Sequence, residues 1–338
     1  MENTVSASLA EPIFATTPTP RDVAAWTPSV EPLRYFLGGR DLGAIQIPAL
    51  TLNVPFTHLS TNLEDSAPPW ETLPPGIEAA VVPAQPVEED LPRLALWQGM
   101  IRHTDSPASR FFVELKGTFP EYLQKFNAKQ RYNLAREARK FAEFCGGSLD
   151  CRTFLSPDEM KDFCRHASRI SANSWRQEID GPGFSGTVPE SEALALAKTG
   201  LARGYVLFHD QQPVAYVFCQ ANCEHLTYKH IGYHREYAKW SPGTVLLYLI
   251  LERLFAEQEY ELLDLGDGTL GYKSFFSNRC THCVRVIYFR RTFQNLAIAS
   301  SHLALSASSI AAGKLLARIG MKQRLKRRMM GKMRRPGQ

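Results

Sequence analysis

Acidic residues are absent from the last 25 positions of this 338-residue chain, where Lys314–Gln338 holds ten Lys or Arg and no Asp or Glu. Subtracting that +10 from the formal net charge of +5 leaves −5 for the rest, a slightly acidic body with a basic tail. Arg324, Lys326, Arg327, Arg328, Lys332, Arg334 and Arg335 suit an anionic surface, either lipid headgroups or nucleic acid, and equally suit a solvated solubility tail. The start of the chain lacks a continuous apolar run, and its first basic residue is Arg21, so neither a secretory signal nor an N-terminal anchor is expected. The expected location is the cytoplasm, with peripheral contact to the inner membrane face through the tail. Cysteine is sparse: seven residues, an odd number, do not make the dense even framework of a small secreted domain, so free thiols are expected.

What is present fits a globular protein. Hydrophobic residues make up 44% and charged residues 22%, and the length suits two domains. Residues 1–32 carry five prolines and little periodicity, which predicts an irregular arm. From residue 33 to 118 the segments 34–39, 43–54, 77–82, 93–97 and 109–115 read as short strands between Pro- and Gly-rich turns, a small strand-rich half. One reading of this half is a degenerate copy of the domain that follows it.

At Phe119 the period changes. Leu123, Phe126, Leu134, Ala138, Phe141 and Phe144 share one helical face, and Gly146-Gly147 stops the helix, so one helix is predicted over 119–144. Ser156-Pro157-Asp158-Glu159 is a helix start with a cap, a first-turn proline and an acid at the third position. A glycine-rich loop follows at 180–186, then a helix through Ala193, Leu194, Leu196 and Ala197. The runs 204–209, 214–220 and 225–233 predict an antiparallel meander. Ser241-Pro242-Gly243-Thr244 then opens a helix, followed by a strand at 261–266, a glycine-rich turn, a short helix at 272–276 and a strand at 284–289. The predicted class is α/β (α+β), a mixed sheet flanked by helices.

A meander feeding a helix that begins Ser-Pro-Gly-Thr brings N–H groups and the positive dipole end beside a strand's carboxyl end, a geometry suited to phosphate. A plain cap on a core helix is the alternative. No metal site is expected. In a strand, His230 and His234 share a face that His225 opposes, and the pair Cys280 and Cys283 has no second pair at zinc-ligand spacing. Residues 295–313 carry no charge and approach membrane-spanning length, but Asn295, His302 and several serines make insertion costly. A helix is predicted from residue 295 onward, packed partly on the catalytic domain.

The order of elements resembles the GNAT fold, and Tyr237–Leu247 resembles the Ser-Pro-Gly-Thr-x-Leu loop of its FemAB-like and CelD-like acyltransferase branch. Further pieces match that branch at Thr118–Lys140, Ile170–Gln177, Pro213–Tyr216, Ile231–Tyr233, Asp264–Gly266 and Lys273–Phe276, so the similarity covers roughly residues 110–292. The resemblance implies an acyltransferase domain over 119–292, with a helical basic tail after it. It implies acetyl-CoA or another acyl-CoA as co-substrate, held by Ser241, Gly243, Thr244 and Val245. Ser241 stands where the common GNAT loop has its first glycine, and Pro242 removes one N–H donor, so a Fem-type aminoacyl-tRNA donor stays open, as does a catalytically silent binding module.

Amine attack on a thioester needs oriented substrates, oxyanion donors and a proton route, and no enzyme nucleophile. Lys273 is the first candidate for a functional side chain, with Asp264 to orient it or accept a proton and Tyr272 to protonate the leaving thiolate. Trp175, Gln177 and Tyr233 are the substrate-side candidates. The implied acceptor is a small molecule or glycan precursor, such as an amino sugar of the cell envelope or an exopolysaccharide.

Overall fold

The computed structural model describes residues 26–37, 40–54, 56–68, 74–174, 184, 187–222, 224–268 and 271–318. Trp175, Gln177 and the tail from residue 319 lie outside the described residues. The chain divides into two compact units: one takes residues 1–107 and 283–338, the other Ala108–His282.

In chain order the strands are β1 Trp26–Leu37, β2 Arg40–Leu52, β3 Ala79–Pro86, β4 Leu94–Trp97, β5 Met100–Thr104, β6 Ala108–Glu114, β7 Asp150–Phe154, β8 Ala202–His209, β9 Gln212–Asn222, β10 His225–Tyr233, β11 Leu262–Asp267 and β12 Arg279–Phe289. The helices are α1 Phe119–Leu123, α2 Ala128–Phe144, α3 Pro157–Ala172, α4 Thr187–Lys198, α5 Pro242–Glu257, α6 Gly271–Phe276 and α7 Phe293–Arg318.

In the first unit β1 pairs antiparallel with β2, β2 parallel with β3, and β12 from Cys283 onward antiparallel with both β3 and β5. β1 begins at Trp26, inside the stretch expected to be irregular. Its prolines, Pro28 and Pro32, are tolerated because β2 is its only strand neighbour, and an edge strand can lose donors on its outer side. β4 and β5 form a hairpin of which the sequence reading had only the first strand, at 93–97. Gln98 and Gly99 both have positive φ, 44° and 80°, the geometry of a two-residue hairpin turn with right-handed twist. One face of this sheet buries Leu33, Ile47, Val81, Ile101, Ile287 and Phe289 together with Ala299 of α7. Helix α7 packs here, against β1, β4 and β5 of its own unit. Tyr35 donates to the Ile298 carbonyl at 3.3 Å, and Asn295 donates to Glu78 at 3.0 Å. Among the described residues no helix is long and apolar enough to cross a membrane.

The second unit is a mixed sheet in the order β6-β11-β10-β9-β8-β7. Its pairs are antiparallel except β10 with β11. The apolar runs of β8 and β9 alternate between two cores. Tyr205, Leu207, Val217 and Cys219 face α2 and α5, whereas Val206, Phe208, Tyr216 and Phe218 face α3 and α4. A strand buried on both faces reads as an unbroken apolar run, which explains 204–209 and 214–220.

The helix predicted over 119–144 is two helices. Asn127 accepts from Gln130 N–H at 2.9 Å while the Gln130 side chain accepts from Asn127 N–H at 2.9 Å, a second capping box that restarts the chain as α2. Gly146 and Gly147, at φ 79° and 106°, end α2, and Gly147 N–H reaches the Ala142 carbonyl at 2.8 Å. Ser156 and Glu159 form the predicted cap of α3.

Candidate active site

The site is built by a parallel pair that parts. β10 and β11 are joined only at His225–Leu262, Leu226–Leu263 and Thr227–Asp264. Each strand then bulges, β10 between Tyr228 and His230 and β11 between Asp264 and Gly266. Beyond the bulges β10 stays with β9 and β11 stays with β6, so the sheet opens at the carboxyl ends of its two middle strands. In open α/β sheets such an opening is where ligands bind.

A cavity of about 160 Å³ fills the opening. β10 supplies Tyr228, Ile231, Gly232 and Tyr233, the start of α5 supplies Gly243, Thr244, Leu246 and Leu247, and α6 supplies Tyr272 and Phe276. A Cβ at Gly232 would stand 2.5 Å from the Tyr216 ring, so only glycine lets the strand pass there. The Tyr216 hydroxyl is hydrogen-bonded to Ser171 Oγ at 2.9 Å, and Ser171 Oγ accepts from Phe184 N–H at 3.1 Å. This wall is therefore fixed from below.

A second, more open groove of about 490 Å³ shares Thr244, Tyr272 and Phe276 with the cavity. Its other side is polar, formed by Gln130, Asn133, Arg136 and Glu137 of α2. Tyr272 is thus a partition between an apolar chamber and a polar trough.

The start of α5 has an unusual backbone. Ser241 adopts φ 50° and ψ 44°, the left-handed region, and its side chain makes no cap hydrogen bond. Its carbonyl accepts from Thr244 N–H at 3.0 Å and Val245 N–H at 3.1 Å. Pro242 has no N–H, so the Gly243 amide is the one in this first turn without an acceptor inside the helix. Of the four predicted cofactor residues, Gly243 and Thr244 reach the cavity and Ser241 the groove, whereas the Val245 side chain is 1% exposed and belongs to the core.

The three predicted catalytic residues, Asp264, Tyr272 and Lys273, lie around the turn between β11 and α6. Asp264 is 5% exposed; its Oδ2 accepts from Arg110 Nε at 2.9 Å and Nη2 at 2.6 Å, and its Oδ1 accepts from Arg110 Nε at 3.1 Å and from the Gly266 N–H at 2.7 Å. Held in this way, Asp264 fixes the bulge of β11. Lys273 Nζ donates to the Asp267 carbonyl at 2.6 Å and lies 3.3 Å from where a Cβ on Gly266 would sit, tying down the glycine-rich turn. Among the described residues, Lys273 lines neither chamber. Tyr272 does line both, and Tyr233 lines the cavity.

Arg110 escaped the sequence reading because nothing local marks the partner of a carboxylate 154 positions away. Gln130, Asn133 and Glu137 were read only as part of an amphipathic helix. His230 packs between Phe184 and Phe218, where burial lowers its pKa, and His234 accepts from Glu236 N–H at the start of the 3₁₀ turn Arg235–Trp240.

A mixed sheet whose central parallel pair parts at its carboxyl ends, with a helix start at the mouth, is the architecture of the GNAT class. Residues 128–274 match the family described as the acetyltransferase (GNAT) domain. No curated protein matches the chain. Among solved structures, the C-terminal domain of a protein described as a lysylphosphatidylglycerol synthetase from Agrobacterium fabrum is similar at 12% identity and TM-score 0.50, covering 84% of this chain and 89% of that one. FemX is similar at 10% identity and TM-score 0.47, covering 82% and 91%. A tandem GNAT protein from the clavulanic acid biosynthesis pathway is similar at 15% identity and TM-score 0.38, covering 75% and 81%. At such identity the first likeness speaks to fold alone.

Proposed function

We propose that the second unit transfers an acyl group, acetyl or another, from acyl-CoA to a primary amine. The observation that carries this reading is Tyr272 standing in the wall shared by an apolar cavity and a polar groove, beside the start of α5. An apolar chamber inside a split sheet suits the acyl and pantetheine end of the donor, and the Gly243 amide with the positive end of α5 suits its phosphates. Tyr233 and Thr244 would flank the donor where it enters.

The amine nitrogen attacks the thioester carbonyl carbon. The C–N bond forms, the C–S bond breaks, the nitrogen gives up a proton and the departing thiolate gains one. Tyr272 is the group assigned to deliver that proton, since it alone of the predicted trio lines both chambers. Lys273 and Asp264 act through the turn they hold. The amide and carboxylate groups of Gln130, Asn133 and Glu137 favour a polar acceptor rich in hydroxyl and ammonium groups, such as an amino sugar or another envelope or exopolysaccharide precursor. Trp175 and Gln177 remain candidates for the acceptor side.

One observation favours a second donor. The groove is bordered by α2, which carries Lys129, Arg131, Arg136, Arg139 and Lys140, a basic surface that suits the phosphates of an aminoacyl-tRNA. Thermal unfolding of the purified chain with a panel of acyl-CoAs separates the two. A donor that binds the folded state at a hundred times its Kd adds about 2.7 kcal/mol of apparent stability, a shift of several degrees. Thiol release on adding amines then follows turnover. A flat response to every acyl-CoA, with turnover only from aminoacyl-tRNA, would replace the first reading with the second.

A further inference from the structure

The first unit gathers a cluster that acyl transfer does not use. His103 in β5 is fully buried and His302 in α7 is 9% exposed, and His302 Nδ1 lies 3.0 Å from His103 Nε2. Asp105, just past the end of β5, brings a carboxylate, so that one ligand atom from each of the three lies within 4.8 Å of the others. Among the described residues no other three His, Cys, Asp or Glu side chains meet this closely.

The hydrogen bonds fix one tautomer. His302 Nε2 lies 3.1 Å from the Arg34 carbonyl oxygen, which only accepts, so Nε2 carries the proton and Nδ1 turns a lone pair toward His103. An imidazole whose far N–H is held by a backbone carbonyl is oriented as metal-binding histidines are. His103 Nδ1, by contrast, is buried with no hydrogen-bond partner. His103 Nε2 and His302 Nδ1 instead face each other, so a shared ion would take a lone pair from each. The nearby charges balance: Arg285 lies 2.8 Å from Glu31 and 3.7 Å from Asp105, and Arg93 is engaged with the Thr104 carbonyl at 3.0 Å and with Ser106. Two cations therefore face two carboxylates, leaving no net positive charge to repel a metal ion.

We propose that His103 Nε2, His302 Nδ1 and the Asp105 carboxylate bind one Zn²⁺ ion, which pins α7 to β5 across 199 positions of sequence. Two imidazoles and one carboxylate suit zinc, whereas Mg²⁺ and Ca²⁺ prefer all-oxygen shells. Asp105 is partly exposed, which leaves a route of entry and room for a water as fourth ligand. Zinc held between a strand and a helix so distant in sequence stabilises the first unit whatever the second unit transfers.

The test uses the full chain, dialysed against a chelator and titrated with Zn²⁺, and separately with Co²⁺ as a spectroscopic probe. The expected result is one zinc per chain, the intense visible absorption of four-coordinate Co²⁺, and a higher unfolding temperature with metal. His302→Gln is expected to weaken zinc binding tenfold or more. Asp105→Asn, at a partly exposed position that should not disturb folding, is expected to weaken it too while keeping the far-ultraviolet circular dichroism of the parent. No stoichiometric binding, undiminished binding in both variants, or binding lost only on Cys280→Ser would each overturn the proposal.

Discussion

Asp264 shows how much a single residue's role depends on one distant partner. Beside a glycine-rich turn at a strand end, an aspartate followed nine positions later by a lysine invites an acid–base reading. In the fold, Arg110 grips both its oxygens and Gly266 N–H holds one of them. Removing one member of a buried pair leaves the other charged and uncompensated, which costs about 3–5 kcal/mol. Arg110→Ala is therefore expected to lose stability on that scale in urea unfolding, and Arg110→Ala/Asp264→Ala less than the sum of the two single variants. Additive losses would mean that the two side chains do not act as a pair. Lys273 Nζ donates to the Asp267 carbonyl of the turn, and backbone acceptors leave no mark on a sequence. Tyr272 was legible because it stands beside the turn on any path the chain takes out of β11.

At the scale of elements, local chemistry was a good guide wherever it acts locally. The cap at Ser156, the stop at Gly146-Gly147 and the antiparallel meander of β8, β9 and β10 all depend on neighbours close in sequence, and each appears as read. Asn127 was missed because the apolar face runs on across it, through Phe126 to Leu134, although the chain restarts there in a new capping box. Ser241 reads as an ordinary cap, yet it adopts the left-handed conformation that favours glycine. Its carbonyl thereby holds the Thr244 and Val245 amides and leaves that of Gly243. A Cβ at Gly243 would sit 3.5 Å from the Tyr233 ring, an ordinary contact. Gly243→Ala should leave both fold and donor affinity nearly unchanged, whereas Gly243→Val, whose branches extend into the cavity, should weaken acyl-CoA binding about tenfold or more, an affinity change of about 1.4 kcal/mol. Calorimetric titration of both variants checks this. Equal affinities for parent and Val variant would place the donor elsewhere.

For the whole molecule, what escaped the sequence is long-range pairing. Reading the chain as contiguous segments puts a boundary after residue 118 and another after 292. The compact units instead divide at 107 and 282, because β6 pairs with β11, and β12 from Cys283 onward pairs with β3 and β5. Strand partners 150 or more positions apart are set by topology, which no local pattern encodes. The order β-β-β-α-β-α-β from β8 to β12 was legible, and the parting of β10 from β11 follows from bulges that appear only in the pairing register. The central claim is that the donor occupies this parting. Amide hydrogen exchange of the full chain, with and without acetyl-CoA, tests it most directly. Slowed exchange in peptides covering 228–233 and 241–247 is the result predicted, since these segments wall the cavity. A donor that raises the unfolding temperature but leaves both segments exchanging at their free rates would contradict it.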